Sequence, residues 1–390
     1  MIKTKTKKGY SGTEYPERHI AVLGDADLNF STQVLEGVQS FASRNAAWRV
    51  VPLHCTQDDL LDDLLRHGRI SGVIGAFISE RWIAGLPGQP VPLVNIGALS
   101  NLTGVPSVIP DDAAVGRLAA GHLLEGGWRV LGCLHDVASY AAGARREGFL
   151  AAAVAGGAAA SAPPVSESFA AGANWEEWLR GLPLPAAVFC TSDTLARRLI
   201  GVLRRIDLRV PEQIAVVGVG DSAFDSALAG MGISSVVLPG RRIGVRAAAR
   251  LQVLLEQGTA PRTVEHLPPE TLVVRDSSAM VWTRDAVVSR AVGVMLKHPE
   301  GALSAGELAR RIGISRRTLE VRFQRALGHG PATEMRRRRL ARVRQLLADT
   351  DFTLEQIAER TGFCGAHHLA AQFKRTFGCT PGAFRRVMGQ

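Results

Sequence analysis

Cysteine, tyrosine and long apolar runs are scarce in this sequence. Its 390 residues include 5 Cys and 3 Tyr, and aromatic residues make up 6% of the chain. The cysteines are odd in number and lack C-x-x-C spacing, which argues against a disulfide framework or a zinc site and is typical of reduced, buried thiols in a cytoplasmic protein. No stretch reaches the ~18 uninterrupted apolar residues of a membrane span, so we expect no membrane partner.

Sequence signatures of enzymes and bound cofactors are also missing. The Gly-Val-Gly at 218–220 lacks the rest of a G-x-G-x-x-G motif, and neither a P-loop nor a legible Ser/His/Asp arrangement occurs. The adjacent His367 and His368 would point ~100° apart on a helix, which makes a poor metal site. We therefore predict no enzymatic activity, no cofactor and no metal, although aspartates at strand ends could in principle serve acid–base chemistry.

Length and composition favour two or three domains behind a short arm. With 46% hydrophobic residues, the chain can form a substantial core. Residues 1–17 are basic and polar, without the apolar segment of a secretion signal, so we predict that they form a disordered arm.

Positive charge is concentrated in the last quarter of the chain. Residues 283–390 contain 20 Lys and Arg against 9 Asp and Glu, whereas residues 1–282 contain 26 against 27. The net charge of +10 therefore belongs almost entirely to the C-terminal segment. This partition predicts one phosphate-binding domain, although a run such as Arg336–Arg339 could also be a solvated helix face.

The same segment contains two helix-turn-helix patterns, 49 positions apart. They are ELARRIGISRRTLEVRF at 307–323 and QIAERTGFCGAHHLAAQF at 356–373. In each, an alanine (Ala309 or Ala358) precedes a glycine (Gly313 or Gly362) by four positions. The alanine allows two helices to approach closely, and the glycine permits a left-handed turn between them. Two such motifs in tandem predict a domain that places two helices in successive major grooves of DNA, ~34 Å apart.

Residues 18–282 alternate short apolar runs with amphipathic segments. Runs such as HIAVLGD, AAVFCTSD and IAVVGVGD predict buried parallel strands, and segments such as 112–125 and 240–257 predict the helices between them. More than eight strands in one region favour two α/β lobes over a single open sheet. Several strands end in an aspartate, at the edge where such sheets bind ligands. These aspartates are Asp25, Asp136, Asp193 and Asp221.

Longer motifs carry a resemblance to known regulators. The segments DDAAVGRLAAGHLLEGG, ARREGF, CTSDTLARRLIGVLRRIDLRVPEQIAVVGVGDS and ISSVVLPGRRIGVRAAARLQVLLEQG resemble the effector domain of LacI/GalR-type regulators, a type I periplasmic-binding-protein fold. The C-terminal motif pair, with TEMRRRRLARVRQLLADT between its halves and TFGCTPGAFRR at its end, is similar to the AraC/XylS DNA-binding domain. The resemblance implies a two-lobed α/β sensor over 18–282, followed by an all-α domain with two helix-turn-helix motifs over 283–390.

The resemblance also implies a function. We expect a cytoplasmic, nucleoid-associated transcription regulator that binds double-stranded DNA as a homodimer and is controlled by a small sugar, xylose or another monosaccharide, bound between the lobes. One alternative is a regulator whose N-terminal domain only dimerises and binds no sugar. A transport-type binding protein shares the front fold, but it would need a secretion signal and no basic C-terminal domain.

The first motif suggests specific DNA contacts. Ser315 is placed to cap the recognition helix, and Leu319 and Phe323 form its buried stripe. The residues predicted to lie at the DNA are Ser315, Arg316, Arg317 and Glu320. Arg317 can bridge guanine O6 and N7, with a phosphate contact as the alternative, while Val321 adds no hydrogen-bonding group.

The second motif offers fewer hydrogen-bonding groups. Leu369 and Phe373 are predicted to be buried. The residues predicted to lie at the DNA are Ala366, His367, His368 and Lys374. Alanine can touch a thymine methyl but donates no hydrogen bond, so this helix is predicted to add position and affinity more than sequence choice. Solvent or phosphate is the alternative partner of each histidine.

The helix between the motifs is predicted to direct its arginines outward. Arg338 and Arg342 are chosen as phosphate contacts, and Glu334 and Asp349 are alternative partners for arginines of this helix. Its predicted apolar face consists of Met335, Leu340, Val343 and Leu347.

The sensor resemblance implies three ligand-binding residues, Asp193, Arg145 and Asp221. Asn29 and Phe30, which follow the first predicted strand, are placed to supply a polar contact and a ring stack. Carboxylate and guanidinium groups can fork across adjacent sugar hydroxyls, and an aromatic ring can stack against the C–H face of a sugar. Three of these residues also have a structural alternative: Asp193 could be a helix N-cap, Arg145 could form a helix-surface ion pair with Glu147 or a neighbour, and Phe30 could belong to the core.

Overall fold

The computed structural model describes most of the chain after the predicted arm. The described residues are 18–25, 29–44, 48–54, 57–77, 83–84, 91–98, 102, 104–135, 139–162, 173–258, 263–280, 283, 285–296, 303–350 and 352–388. The arm over 1–17 and Asp136 lie outside them. Within these ranges, no helix is long and apolar enough to cross a membrane.

Twelve strands lie in the described part of the chain and form two sheets. They are β1 (Arg18–Gly24), β2 (Trp48–His54), β3 (Gly72–Gly75), β4 (Leu93–Asn95), β5 (Ser107–Pro110), β6 (Val130–Leu134), β7 (Ala159–Ser161), β8 (Ala186–Cys190), β9 (Ile214–Val219), β10 (Ser234–Val237), β11 (Val264–Leu267) and β12 (Thr271–Val273). The first sheet has the order β11-β5-β4-β3-β1-β2 and the second the order β12-β10-β9-β8-β6-β7. Two sheets of six strands confirm the predicted pair of α/β layers.

Helices follow most strands and continue to the C-terminal end. They are α1 (Asn29–Arg44), α2 (Asp58–Arg66), α3 (Asp112–Glu125), α4 (Tyr140–Ala155), α5 (Ala173–Gly181), α6 (Asp193–Arg205), α7 (Ala223–Ala229), α8 (Gly240–Gln257), α9 (Ala286–Leu296), α10 (Ala305–Ile312), α11 (Arg316–Leu327), α12 (Pro331–Asp349), α13 (Leu354–Arg360), α14 (Ala366–Phe377) and α15 (Pro381–Met388). The fold class is therefore α/β with two sheets, followed by an all-α region, as predicted.

The chain divides into two compact units. Residues 1–97, 101–109 and 240–265 form the first, and residues 98–100, 110–239 and 266–390 form the second. The first unit holds the sheet around β1 and the second holds the sheet around β8 together with α9–α15. The chain thus leaves the first unit after β5 and returns to it with α8.

The second sheet is buried because its strands are apolar along their whole length. All six residues of β9 and all five of β8 are buried, and the two strands pair in parallel with Val188 beside Val216. Parallel strands covered by helices read as continuous apolar runs, which is the pattern predicted here. Only β12, at one edge, pairs antiparallel with its neighbour β10.

In each unit, one pair of helices touches backbone to backbone at glycines. Helices α1 and α8 meet at Gly37 and Gly244, and helices α3 and α4 meet at Gly116 and Gly148. A Cβ atom at Gly116 would overlap the carbonyl oxygen of Arg145, and one at Gly148 would overlap that of Ala113. Only glycine allows these helices to approach so closely, so each pair forms a rigid layer over its sheet.

Both predicted helix-turn-helix motifs are present in the second unit. Helices α10 and α11 form the first and helices α13 and α14 the second. Gly313 and Gly362 have φ angles of 80° and 68°, the left-handed conformation for which glycine was predicted. Ala309 and Ala358 are buried at the close helix approach. Ser304 and Thr353 start α10 and α13 with reciprocal capping boxes, which satisfy the free N–H groups of the first turn.

Helix α12 belongs to two hydrophobic cores at once. Near its N-terminal end, Met335 belongs to the core of the first motif, to which α9 also contributes. Leu340, Val343 and Leu347 belong to the core of the second motif, closed by α15. All four residues are buried, which confirms the predicted apolar face.

The thiols lie in two environments. Cys133 and Cys190 are free and buried in strands β6 and β8 of the second sheet, and burial raises the pKa of Cys133 to about 12. Cys364 is exposed and Cys379 is half-buried, so the expectation of uniformly buried thiols is wrong for these two. Their exposure follows from their place in the second motif. Cys364 lies in the turn between α13 and α14, and Cys379 follows the end of α14. Cys55 lies outside the described residues.

The α3–α4 contact predicts a large difference between two glycine substitutions in one helix. Gly116→Ala should destabilise the protein by about 1–3 kcal/mol or more, because the new methyl group overlaps the backbone of α4. Gly121→Ala, on the same helix with nothing within 4 Å, should be neutral or stabilising by up to about 1 kcal/mol through helix propensity. Urea denaturation of the two variants measures both effects. Equal stabilities would contradict the backbone contact.

Candidate nucleic-acid interface and effector site

The first recognition helix, α11, is held by its cap and by two buried side chains. The Oγ of Ser315 accepts a hydrogen bond from the backbone N–H of Thr318 at 3.1 Å, which confirms the predicted N-cap. Leu319 and Phe323 are fully buried against α9 and α10. This anchoring fixes which face of α11 points away from the core.

The outward face of α11 presents Arg317, Val321 and Gln324. All three are exposed, and Val321 retains 52% of its surface. They lie opposite the Leu319–Phe323 stripe, since residues four and seven positions apart share a helix face. Arg316 and Glu320 flank this face and pair with each other, with 2.8 Å between Nε and Oε1. An exposed pair of this kind is weak and can exchange partners at a charged surface.

The second recognition helix, α14, has the same anchoring but a less polar outward face. Leu369 and Phe373 are fully buried, as predicted. His367, Ala371 and Lys374 are exposed and lie opposite this stripe. Unlike α11, whose N-cap is Ser315, α14 has Gly365 as its N-cap and therefore no side-chain cap. The exposed His368 instead lies edge-on to the ring of Phe363, 5.7 Å between centroids. Ala366 is half-buried.

The two arginines chosen on α12 differ in accessibility. Arg342 is exposed. Arg338 pairs with the buried Glu334, with 2.7 Å between Nε and Oε1, and its side chain is only 22% exposed. Glu334 also accepts a hydrogen bond from His329 at 2.9 Å. Although burial opposes it, the charge of Arg338 holds the pKa of Glu334 below its usual range. Arg338 therefore pairs with Glu334, the alternative partner predicted for arginines of this helix, and the expectation that every arginine points outward is wrong for it. The side chain of Asp349 is not among those described.

In the α/β region, Asp193 lies at the end of β8 as the first residue of α6. Its carboxylate accepts hydrogen bonds from Ser235 Oγ at 2.8 Å and from the backbone N–H of Ser222 at 2.7 Å. The N-cap of α6 is Ser192, so the alternative role predicted for Asp193 belongs to its neighbour. Asp193 is 3% exposed, and burial raises the pKa of its carboxyl to about 6.

Arg145 joins the start of α3 to the end of β8. Its Nε donates to Asp112 Oδ1 at 2.7 Å, and its Nη1 donates to the backbone oxygen of Thr191 at 2.8 Å. The ion pair therefore forms with Asp112, and the alternative pairing predicted with Glu147 does not occur. Burial raises the pKa of Asp112, and the charge of Arg145 opposes that effect.

Asp221 belongs to the same cluster. Its backbone N–H donates to Ser235 Oγ at 2.9 Å, the hydroxyl that also donates to Asp193, and its carboxylate pairs with Arg275 at 2.5 Å. With a φ of 57°, Asp221 has the left-handed backbone that is uncommon outside glycine and that clusters at functional sites. The structure thus brings Asp193, Arg145 and Asp221 to one edge of the second sheet.

The other two predicted ligand residues lie in the first unit. Asn29 is the first residue of α1, within 3.5 Å of Gln33 through its side-chain amide. Phe30 is half-buried, an exposure between that of a core residue and that of a ring open to a sugar, the two roles predicted for it. Both follow the end of β1, at the carboxyl edge of the first sheet.

Two polar residues that the sequence reasoning missed organise this cluster. Asp112 is the second of two aspartates at the start of α3, where Asp111 acts as the N-cap and leaves Asp112 free to face Arg145. Ser235 lies inside a strand and gave no local signal. A signal for Asp112 was present in the sequence, because one aspartate is enough to cap α3 and the second is left for another role.

Family models match two separate regions of the chain. Residues 120–278 match a periplasmic binding protein-like domain, and residues 308–387 match a helix-turn-helix domain. These matches coincide with the second sheet and with the paired motifs described above. They confirm the combination of domains that the sequence motifs resemble.

The chain is also similar to known proteins, one of them over almost its whole length. A xylose operon regulatory protein of Haemophilus influenzae is 25% identical over 386 residues, which cover 94% of this chain and 97% of that protein. The counterpart from Escherichia coli K12 is 26% identical over 221 residues, 55% of this chain, so the match spans about half (56%) of that relative. Both relatives are named as operon regulatory proteins, in agreement with the prediction of a regulator rather than an enzyme.

The fold is also shared with a solved structure. The structure of the xylose-binding transcription activator xylR matches 95% of this chain and 98% of its own chain, with a TM-score of 0.60 at 22% sequence identity. At this identity the likeness establishes the order of α/β and helix-turn-helix folds along the chain.

The raised pKa of Asp193 predicts a dependence of stability on pH. A carboxyl group whose pKa is raised to about 6 contributes stability that is present below its unfolded value of about 3.9 and lost as the pH rises through about 6. Asp193→Asn cannot ionise. The Tm of the variant minus that of the wild type should therefore increase between about pH 4 and pH 7.

Calorimetry of the full chain measures this difference, with the exposed Asp59→Asn as the control for loss of one carboxylate. A difference that is constant across this pH range would show that Asp193 is not buried as an acid.

Proposed function

We propose that this chain, which joins a periplasmic-binding-protein-like domain to an AraC-type helix-turn-helix domain, is a transcription regulator that binds specific double-stranded DNA under the control of a small sugar. The paired recognition helices carry this proposal, because each is anchored by a Leu–Phe stripe and presents its outward face to solvent. The concentration of positive charge in the same segment adds affinity for phosphate that does not depend on sequence.

We assign the recognition of the DNA sequence mainly to α11. Arg317 provides a fork for guanine, and Val321 beside it presents an apolar group that fits a thymine methyl. The α14 face, with His367, Ala371 and Lys374, contributes fewer groups that read bases and more that position the protein. Helix α12, with 19 residues at ~1.5 Å each, is long enough to hold the two helices about one turn of DNA apart.

The sugar proposal is supported by the polar cluster at the carboxyl edge of the second sheet. Asp193, Arg145 and Asp221 supply the carboxylate and guanidinium groups that suit vicinal hydroxyls. Xylose is the first candidate because relatives are named for a xylose operon or for xylose binding. The alternative is a region that only dimerises, since each of the three side chains already has protein partners.

The remaining parts of the proposal concern organisation. We assign residues 18–282 to the sensor and residues 283–390 to the DNA-binding domain, with the arm over 1–17 in front. A homodimer would double the recognition helices at an operator and raise affinity through effective concentration. A regulator of this kind acts in the cytoplasm at the nucleoid.

Two arginine substitutions should separate base reading from phosphate binding. Arg317→Ala should relax the preference at one base position, at a cost of about 1–3 kcal/mol for the preferred base. Arg342→Gln should weaken binding to all duplexes alike and lower the slope of log K against log salt concentration by about one. Selection from a random duplex library by the full chain, followed by fluorescence anisotropy, measures both.

Arg180→Gln, an exposed arginine on α5, serves as the matched control and should leave affinity and salt slope unchanged. Wild-type protein that selects no sequence and binds no duplex would refute the DNA-binding proposal. Equal effects of the two variants on every sequence would remove Arg317 from base reading.

A thermal-shift series tests the sugar proposal. D-xylose should raise the Tm of the full chain in a concentration-dependent manner, since a ligand that binds only the folded state stabilises it by mass action. Arg145→Lys should weaken the shift, because the ammonium cannot reproduce the guanidinium fork. No shift with D-xylose or any other monosaccharide at high concentration would favour the alternative in which the sensor binds no sugar.

A further inference from the structure

A shallow groove lies between the first recognition helix, α11, and the start of α9. Its volume is about 400 Å³, and its lining residues are Asp285, Arg317, Thr318, Val321, Arg322 and Arg325. Arg317 and Val321 belong to the outward face of α11 that is assigned to base reading. The groove therefore borders the part of α11 that would meet DNA.

Three of the lining side chains form a polar row beside this face. Thr318, Arg322 and Arg325 follow one another at intervals of four and three positions, so they share one flank of α11. All three are exposed. Hydroxyl and guanidinium groups are among the donors that proteins direct to DNA phosphates. The row therefore offers hydrogen-bond donors that suit a phosphodiester.

Arg322 is held in this row by Asp285, the residue directly before α9. Its Nη1 donates to both carboxylate oxygens of Asp285, at 3.0 and 3.1 Å. The Oδ1 of Asp285 also accepts hydrogen bonds from the backbone N–H groups of Val287 and Val288, so the carboxylate is itself fixed. Burial tends to raise the pKa of Asp285, but the hydrogen bonds from Arg322 and α9 hold it below its usual range. No described residue accepts a hydrogen bond from Nε or Nη2 of Arg322, so these donors are available to a ligand.

The other two arginines of the groove have no such anchor. Among the residues that the structure describes, the side chains of Arg317 and Arg325 take part in no ion pair or hydrogen bond. The groove thus contains three guanidinium groups against one carboxylate, an excess of two positive charges. Like charges that line one groove repel one another, and a bound anion removes this repulsion.

The place of the groove on α11 matches that of the DNA backbone. A helix is about 10–12 Å across with its side chains and nearly fills a major groove about 12 Å wide. Side chains at the centre of its outward face then meet base edges, and those on its flanks meet the strands that border the major groove. With Arg317 and Val321 at the centre, the row of Thr318, Arg322 and Arg325 lies on such a flank.

We propose that the groove between α11 and the start of α9 binds two adjacent phosphates of the DNA backbone, one through Arg322 and one through Arg325, and that Asp285 positions Arg322. None of these three residues was predicted to lie at the DNA. The site rests on the proposed function, because its ligand is the duplex that α11 reads. Phosphate contacts fix the register of a protein on DNA, so this site sets where Arg317 meets a base.

Uncharged phosphates locate the two contacts. On a duplex selected by the full chain, each phosphate bordering the protected bases is replaced in turn by a methylphosphonate, and the Kd is measured by fluorescence anisotropy. The wild type should lose affinity by about fivefold or more at two adjacent phosphates. Arg325→Gln should become insensitive to replacement of one of them and Arg322→Gln to replacement of the other, because the partner is already missing.

The salt dependence of the same variants gives a second readout. Each substitution should lower the slope of log K against log salt concentration by about one on every duplex. Arg180→Gln, which removes the same charge from α5, should leave the slope and the methylphosphonate pattern unchanged. Arg325 is exposed and has no described partner, so its variant should keep the wild-type Tm.

Asp285→Asn tests the positioning role separately. The amide oxygen of asparagine can still accept the hydrogen bonds of the first turn of α9, so the helix keeps its cap, but the charge that holds Arg322 is lost. The affinity loss at the phosphate assigned to Arg322 should shrink at least about twofold, and the loss at the Arg325 phosphate should stay the same. A pattern identical to that of the wild type would remove Asp285 from this role.

The outcomes separate this site from the proposed function. If the wild type binds its selected duplex and the Arg322 and Arg325 variants keep its sensitivity to every methylphosphonate, the phosphate site is overturned and DNA binding stands. A wild type that binds no duplex overturns both.

Discussion

The membership of helix α12 in two hydrophobic cores is the constraint on which the C-terminal region depends. Met335 belongs to the first helix-turn-helix core, and Leu340, Val343 and Leu347 belong to the second. A helix buried at both ends cannot bend between them without opening one core. The shared helix therefore restrains the spacing and orientation of the two recognition helices. The same burial divides the arginines of α12 into exposed ones and those, such as Arg338, that neutralise a buried carboxylate.

Charged side chains of the effector-site cluster are more buried than those on the recognition helices. Asp193 and Asp112 are buried, Arg145 is largely buried, and each has polar partners, because an isolated charge away from water is costly. On α11 and α14 the charged groups are exposed, and pairs such as Arg316–Glu320 can exchange partners at a charged surface. A ligand at the proposed effector site would have to replace existing partners, and this replacement would give it a means of changing the structure.

Sequence periodicity was sufficient for the fold and for the anchoring of the recognition helices. The spacing of Leu319 and Phe323 predicts their burial, and the hydroxyl of Ser315 directly before the helix predicts its cap. Partners distant in the chain could not be predicted this way. The interaction of Arg145 with Asp112, 33 positions away, depends on how α3 lies against α4. Asp193 was identified as a polar residue at a strand end, but its bond to Ser235 requires the pairing of β9 with β10.

In the proposed complex with DNA, helices α11 and α14 enter successive major grooves of one duplex. Hydroxyl-radical footprinting of the full chain on a duplex that it has selected tests this claim most directly. Two protected segments on one face of the DNA, centred about 10 base pairs apart, are expected. A single protected segment, or two segments on opposite faces, would contradict it.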